Sequence, residues 1–241
     1  MSVERIDKIL SSQNIGSRSE VKIMIRKGRI SADGITVKVP EQKFDPEKTV
    51  FAVDNQIITF KKNIYIMMNK PAGVLSASND KYAKTVIDLL PEQFKRNGLF
   101  PAGRLDKDTE GLIIITDDGE LAHKMLAPKS HVFKLYEVVS DKEITEEDVQ
   151  TFKNGITYGN NVFLPANMKL TGKNTALVEI CEGKFHQVKK MFNAIGANVV
   201  HLKRLRIGGV FLDNSLKSGE SRELTDKELN DILSRIQEIN V

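Results

Sequence analysis

The chain has 241 residues, of which 40% are hydrophobic and 28% charged, a composition typical of a globular protein with one large or two small domains. No run approaches the roughly 18 apolar residues that a membrane span needs, and the first residues lack the apolar stretch of a signal peptide. The single cysteine, Cys181, excludes an internal disulfide. We therefore expect a cytoplasmic protein with no membrane partner.

Positive charge is concentrated in two segments. The net charge of +4 is modest, but residues 1–30 hold seven Lys or Arg against three acids, and residues 184–206 hold six against none. Either segment alone is most simply explained as a solvated face. Two such segments flanking a balanced middle favour a polyanionic partner, because clustered cations release the counterions condensed on phosphates.

The first 60 residues predict a small module of helix, turn, basic helix and sheet. Ser17 as N-cap and Glu20 three residues later form a capping box that starts the second helix. Asp33-Gly34 and Asp54-Asn55 predict two hairpins. The RNA-binding residues that we predict here are Arg5, Arg18, Lys22, Arg26, Lys27 and Arg29. We call Arg18, Lys22 and Arg26, which recur every four residues, the basic face; the alternative is a helical cap whose arginines only face water.

After a candidate linker at residues 61–63, strands and short helices alternate without a regular βαβ pattern. Residues 65–68 predict a strand that ends at a Pro-Gly turn, and residues 85–90 predict a short helix that stops before Pro91. The pattern predicts an α+β protein, with an RNA-binding module at 1–60 and a catalytic domain at 61–241 built on a mixed, mainly antiparallel sheet flanked by helices.

The segment from Pro101 to Gly111 carries the strongest sign of chemistry. It places three carboxylates, two cationic side chains and two glycines just before Leu112–Ile115, an apolar run that predicts a strand buried on both faces. If the segment is extended, Asp106 and Asp108 share a face at roughly 6.6 Å, near the carboxylate separations used to cleave glycosidic bonds. Two surface aspartates paired with neighbouring cations remain the alternative.

A second segment places basic residues at the start of a helix. The run 174–181 predicts a strand, and a helix is predicted from Lys184 to about Ile195, with His186 and Lys189 on its polar side. A helix from Glu120 to Leu126, with Leu126 among its inward residues, is also predicted. Residues 199–206 predict a strand that alternates basic and apolar side chains. A basic helix start beside a basic strand is typical of a phosphate-binding site. The four histidines share no ligand spacing with one another or with Cys181, so no metal site is predicted.

These segments resemble the pseudouridine synthases that act on bacterial ribosomal RNA. The resemblance rests on Gly103-Arg104-Leu105-Asp106 followed by Asp108-Thr109 and Gly111-Leu112, on Lys70-Pro71-Ala72-Gly73, on Lys134-Leu135-Tyr136-Glu137-Val138 and on residues 182–192. Residues 218–225 also match, and residues 1–60 resemble the RNA-binding module of a small-subunit ribosomal protein. His186-Gln187-Val188-Lys189 is most similar to the branch that modifies 16S rRNA, although Lys189 stands where the wider family has an arginine.

The resemblance implies a cofactor-independent isomerase that flips one uridine of ribosomal RNA out of its stack and rejoins the uracil to the sugar through C5. It implies Asp106 as nucleophile or base, Lys189 as its cationic partner and Tyr136 as the group that stacks on uracil. Substrate-binding residues are expected at Arg104, Lys70, His186, Gln187 and Arg204. The partner is then ribosomal RNA or a small-subunit assembly intermediate, and the protein is expected to be a monomer.

Three other functions stay open at the level of sequence. The same reaction could act on large-subunit (23S) rRNA. A glycoside or N-glycoside hydrolase could use Asp106 and Asp108 as an acid–base pair and would release free uracil or sugar. A non-catalytic ribosome-binding or assembly factor would bind rRNA and tolerate the loss of Asp106.

Overall fold

The computed structural model describes residues 3–235, and their contacts divide the chain into two units. The first unit contains the residues up to 64 together with 91–98, and the second contains 65–90 and the residues from 99 onward. The outer ends of the two predicted domains, residues 1–2 and 236–241, lie outside the described part. None of the described helices is long and apolar enough to cross a bilayer.

Two helices, a four-stranded sheet and a separate two-stranded sheet form the described part of the first unit. Its elements are β1 (Glu4–Arg5), α1 (Ile6–Ser12), α2 (Arg18–Arg26), β2 (Ile30–Ala32), β3 (Ile35–Thr36), β4 (Lys43–Phe44), β5 (Phe51–Val53) and β6 (Gln56–Ile58). Strands β1 and β4 form the two-stranded sheet. The predicted capping box is confirmed, since Ser17 and Glu20 exchange side-chain-to-backbone hydrogen bonds at the start of α2. Apolar residues of α1 and α2 pack with Ile30 and Phe51 into one core.

Both predicted hairpins of the first unit are confirmed. The sheet order is β3-β2-β5-β6, with every neighbouring pair antiparallel. Asp33 and Gly34 have φ of 50° and 79°, and Asp54 and Asn55 have 48° and 64°. Left-handed residues at both turn positions twist the two strands in the sense that a tight hairpin requires.

A nine-stranded sheet, a separate two-stranded sheet and several helices form the described part of the second unit. Its strands are β7 (Tyr65–Lys70), β8 (Phe100–Ala102), β9 (Glu110–Thr116), β10 (Lys134–Ser140), β11 (Ile156–Tyr158), β12 (Asn161–Phe163), β13 (Asn167–Leu170), β14 (Thr175–Ile180), β15 (Val199–Ile207), β16 (Val210–Phe211) and β17 (Ser221–Glu223). Strands β11 and β12 form the two-stranded sheet. The helices are α3 (Gly119–Leu126), α4 (Glu146–Asn154), α5 (Gln187–Ala194) and α6 (Asp226–Asp231).

The sheet is mixed and mainly antiparallel, which confirms the predicted fold class. The strand order is β13-β14-β10-β15-β9-β7-β17, with β8 paired to β9 and β16 to β15. Among its pairs, β15 and β9 run parallel. Gly111 lies at that contact with φ of 99°, and a Cβ atom there would stand 2.3 Å from the carbonyl oxygen of Arg204. The close approach of the two strands therefore requires glycine.

Three local predictions for the second unit were wrong. Residues 85–90 form turns rather than a helix, because Asp88 accepts hydrogen bonds from the backbone N–H and the hydroxyl of Thr85 and closes a single turn. Helix α5 begins at Gln187 rather than Lys184, after a left-handed His186. Leu126 is 45% exposed, whereas Ala122 and Met125 of α3 face the core.

Candidate active site

A cleft in the second unit brings together most of the predicted site residues. A small cavity of about 60 Å³ is lined by Arg104, Asp106, Tyr136, His186, Gln187 and Lys189, with apolar side chains from β14, α5 and β15. An adjoining cavity of about 420 Å³ shares four of these residues and adds Arg204 and Lys134. The loop before β9, strand β10 and the start of α5 thus converge on one place.

The loop that carries Asp106 is fixed by the lysine that ends β7. The Nζ of Lys70 donates to the carbonyl oxygens of Pro71, Asp106, Lys107 and Thr109 at 2.8–3.2 Å. The N–H of Gly73 also donates to the Lys107 carbonyl at 2.7 Å. A single ammonium group that joins four carbonyls holds the loop in one shape.

The structure corrects the predicted substrate contact of Lys70. Its side chain is completely buried, and burial lowers its pKa to about 8 although Asp108, Glu110 and Asp106 pull in the opposite direction. An ammonium group enclosed by backbone carbonyls cannot reach a substrate. Lys70 therefore positions the loop that carries Asp106.

Lys189 bridges the two aspartates. Its Nζ lies 3.3 Å from Oδ2 of Asp106 and 2.6 Å from Oδ1 of Asp108. The hydrogen bond from Lys189 lowers the pKa of Asp108. The side chain of Asp108 is 73% exposed, whereas the side chain of Asp106 is 24% exposed. The segment is not extended, as a shared face for the two carboxylates would require: the N–H of Thr109 donates to the Asp106 carbonyl at 3.1 Å, so the chain turns here. Asp106 is the carboxylate that faces the cleft, and Asp108 is a surface partner of Lys189.

His186 adds a second nitrogen beside Asp106. Its Nε2 lies 3.5 Å from Oδ1 of Asp106. The residue has φ of 54°, and its ring stacks on Phe185 at a centroid distance of 3.8 Å. Phe185 itself is 65% exposed, and the Nζ of Lys190 lies 5.3 Å from the centre of its ring. The left-handed backbone and the stacked ring together aim His186 at the carboxylate.

Three further predicted residues differ in their access to the cleft. Tyr136 is 8% exposed and lines both cavities. Arg204 lies opposite Tyr136 in the ladder between β10 and β15; its Nε donates to the carbonyl of Leu112 at 2.7 Å. Gln187 lines the small cavity, but its amide donates to Glu182 at 3.0 Å and its oxygen accepts from the N–H of Lys184, so its polar atoms organise the loop.

Arg104 is an exposed cation of the cleft. It follows the left-handed Gly103 and lines the cavities on both sides of Asp106. Throughout residues 3–235, its guanidinium makes no hydrogen bond or ion pair with another residue. An unpaired guanidinium at the mouth of a cleft is available to a phosphate or a base.

In the first unit, a buried carboxylate organises three of the predicted RNA-binding residues. Asp7 has a completely buried side chain and accepts hydrogen bonds from Arg5 at 3.1 and 2.9 Å and from Arg18 at 3.3 Å. Lys22 lies 3.8 Å away. Burial would raise the pKa of Asp7, but the hydrogen bonds from Arg5 and Arg18 outweigh it and keep that pKa below its ordinary value. The cations are thus held in place and partly neutralised.

The other predicted RNA-binding residues are exposed. Arg29 donates to Asp54 at 2.9 Å on the surface. Arg26 and Lys27 end α2 and form no ion pair within the described chain. Of the six predicted RNA-binding residues, two therefore have free side chains and four already have an acidic neighbour.

Lys134 is among the cleft residues that sequence reasoning missed. Lys134 is 6% exposed, lines the larger cavity and lies two residues before Tyr136 on the same strand. Because side chains alternate along a strand, residues two apart share a face. This signal was present in the Lys134-Leu135-Tyr136 motif.

Comparisons with known proteins agree with this geometry. The RNA pseudouridylate synthase family model matches residues 64–194, and the S4 domain model matches residues 4–50. An uncharacterized RNA pseudouridine synthase of Bacillus subtilis is 44% identical over 94% of this chain and 97% of its own length. Ribosomal small subunit pseudouridine synthase A of Escherichia coli is 36% identical over 95% of this chain and 100% of its own. A crystal structure of a pseudouridylate synthase superposes with a TM-score of 0.66 at 32% identity, covering 95% of this chain and 99% of that one.

Proposed function

This chain belongs to the RNA pseudouridylate synthase family, and we propose that it isomerises one uridine of small-subunit (16S) ribosomal RNA with Asp106 as the essential carboxylate. The observation that carries the proposal is the 3.3 Å pair between Lys189 and Asp106, in a cleft that also holds Tyr136. The relative from Escherichia coli, named for the ribosomal small subunit, supports the choice of RNA because it aligns over 95% of this chain.

The reaction needs a carboxylate at the sugar and a site that retains the detached base. The bond between C1′ and N1 breaks, the uracil ring turns, and a bond between C1′ and C5 forms, without net oxidation or hydrolysis. Asp106 takes part either as a nucleophile that bonds to C1′ or as the base that generates a glycal. Lys189 and His186 hold its carboxylate at 3.3 and 3.5 Å in both cases, so it meets the sugar in one orientation.

The target uridine must leave its stack to reach Asp106, which costs a few kcal/mol. Tyr136 of strand β10, which lines the cleft, then stacks on the flipped uracil. Arg104 at the mouth of the cleft is free to occupy the gap left in the RNA or to bind a neighbouring phosphate. Binding energy gained outside the cleft offsets the cost of flipping.

That binding energy comes in part from the first unit, which we propose is an RNA-binding module. Its S4 match covers helix α2, which carries the basic face. Asp7 presents Arg5, Arg18 and Lys22 as a preformed group, so fewer side chains lose freedom when phosphates arrive. Arg26, Lys27 and Arg29 extend this surface. The proposal locates a monomeric enzyme in the cytoplasm, on ribosomal RNA or a small-subunit assembly intermediate.

The proposal is tested by mapping pseudouridines in ribosomal RNA from cells that lack the protein. We expect one 16S position to remain uridine, and purified protein to convert that position in an unmodified 16S transcript or in a protein-bound assembly intermediate. Loss of a 23S position would instead assign the large subunit. Release of free uracil would indicate a hydrolase, and an unchanged map in both RNAs would contradict the assigned reaction.

A further inference from the structure

Two buried cations share the larger cavity with Tyr136. Lys134 is 6% exposed and Arg204 is 3% exposed, and both line the cavity of about 420 Å³ that also reaches Asp106. Lys134 makes no hydrogen bond or ion pair with any residue in the range 3–235, and one guanidinium nitrogen of Arg204, Nη2, is buried without a partner. Nearly all buried polar groups in proteins are hydrogen-bonded, so this pair requires an explanation.

The sheet fixes where these cations lie. Lys134 and Tyr136 are two apart on β10 and share a face, and Arg204 of β15 lies directly opposite Tyr136. Arg206, two residues further along β15, shows the contrasting arrangement, because its guanidinium pairs with the fully buried Glu179 and donates to the Gly208 carbonyl. The sheet thus neutralises Arg206 and leaves Lys134 and Arg204 without a counter-charge of their own.

The carboxylates of the same cavity are already engaged. Asp106 is held by Lys189 and His186. Glu182 pairs with Lys184 at 2.9 Å and accepts from Gln187 at 3.0 Å. The charge that remains around Tyr136 is therefore positive. Burial and the nearby Arg204 lower the pKa of Lys134 to about 8, which reflects the same lack of a counter-charge.

We propose that Lys134 and Arg204 bind the uracil ring and stabilise the negative charge that it carries once the N-glycosidic bond has broken. This inference rests on the proposed function. When the C1′–N1 bond breaks, its electron pair moves to N1 and spreads over the ring oxygens. The charge disappears when an electron pair of C5 forms the bond to C1′, the C5 proton leaves and N1 gains a proton. Fixed cations around a charge that develops during the reaction lower the barrier more than they strengthen ground-state binding.

The depth of the site favours the uracil ring over a backbone phosphate. Both cations are more than nine-tenths buried beside the tyrosine on which the base is proposed to stack. The phosphates of a bound RNA run along the protein surface, where the exposed Arg104 can reach them. A flipped base is the part of the RNA that enters a closed pocket.

The test uses the full-length protein and an unmodified 16S rRNA transcript in single-turnover assays. Lys134→Met removes the charge and keeps the side-chain length, Lys134→Arg keeps the charge, and Lys169→Met is the control at an exposed lysine of β13 in the same sheet. We expect Lys134→Met to slow conversion by about 10²–10³-fold, the loss typical of one charge-stabilising donor, with RNA affinity within about twofold of wild type. Lys134→Arg should recover most of the rate. If Lys134→Met fails to fold by circular dichroism, Lys134→Gln replaces it.

A transcript made with 5-fluorouridine separates charge stabilisation from a structural role. Fluorine withdraws electrons and stabilises the departing ring by itself, so the deficit of Lys134→Met in cleavage of the N-glycosidic bond should shrink severalfold on this RNA. An equal deficit on both transcripts would overturn the inference, as would weakened RNA binding with a normal rate at saturation. Failure of the wild-type protein to convert the uridine transcript would instead count against the proposed function.

Discussion

Replacing Lys70 with methionine should displace the loop that carries Asp106 and slow the reaction, without weakening RNA binding. The ammonium group donates to four carbonyls, of which those of Asp106 and Lys107 keep another donor, the N–H groups of Thr109 and Gly73. The carbonyls of Pro71 and Thr109 lose the donor that Lys70 provides, at about 1–3 kcal/mol for each buried unsatisfied group. Relief of the cost of burying a charge offsets part of this, and we expect a net loss of stability of about 2 kcal/mol.

This loss corresponds to a fall in melting temperature of about 4–8 °C for a unit of this size, which circular dichroism can follow. Because a displacement of Asp106 by about 1 Å can cost 10²-fold in rate, single-turnover conversion should fall by at least that factor. Lys107→Met, at an exposed lysine of the same loop, is the matched control and should leave both quantities unchanged. A Lys70→Met protein with a normal rate would refute the positioning role.

Three other perturbations follow from the structure. Alanine at all three positions of the basic face should weaken RNA binding and reduce its salt dependence by up to about three phosphate contacts, with normal turnover at saturating RNA. Unchanged affinity and salt dependence would show that the basic face only contacts solvent. Gly111→Ala places a Cβ 2.3 Å from a backbone oxygen at φ of 99° and should lower unfolding stability by at least about 3 kcal/mol in denaturant titrations; wild-type stability would mean that β9 and β15 can separate. Hydrogen bonds from Ser215 and Arg222 lower the pKa of Asp213 to about 2, and those from Arg222 lower the pKa of Glu228 to about 2, so stability from these two carboxyls is present near pH 7 and lost as the pH falls from about 4 towards 2. Arg222→Met should therefore lower the melting temperature near pH 7 and converge with wild type near pH 2; a constant difference would rule out these ion pairs as the cause.

The sequence predicts elements well where one local rule decides them. The capping box at Ser17 and the left-handed pairs at Asp33 and Asp54 depend on residues that are neighbours in the chain, and all three are present. The predicted helix at residues 85–90 had no such local support. Asp88 instead accepts hydrogen bonds from Thr85 and closes a single turn there. Local hydrogen bonding by Asp and Thr competes with helix formation.

Where the sequence predicts the burial or partners of a residue wrongly, contacts between segments that are distant in the chain determine them. Lys70 follows a strand and precedes a Pro-Gly turn, a place where lysine is usually exposed; its burial follows from the pairing of β7 with β9, which encloses it with the loop before β9. Arg204 lies opposite Tyr136 on β10 and a register shift places Arg206 opposite Leu135, and both arginines are buried rather than turned towards a phosphate backbone. Asp7 likewise appears in sequence as an acid at the start of a helix, and only packing makes it the centre of three cations.

Comparison of Asp106→Asn with Asp108→Asn tests the central claim most directly. Each change removes one negative charge from the same loop. Each also removes a carboxylate that contacts Lys189, at 3.3 Å for Asp106 and 2.6 Å for Asp108, so the two variants are matched controls. With an unmodified rRNA transcript in single turnover, Asp106→Asn should abolish conversion while RNA binding stays near wild type. Asp108→Asn should raise the barrier by only about 1–3 kcal/mol, because it affects the position of Lys189. Equal partial losses would indicate a shared role for the two carboxylates, and conversion by Asp106→Asn would contradict the assignment of Asp106 as the reacting group.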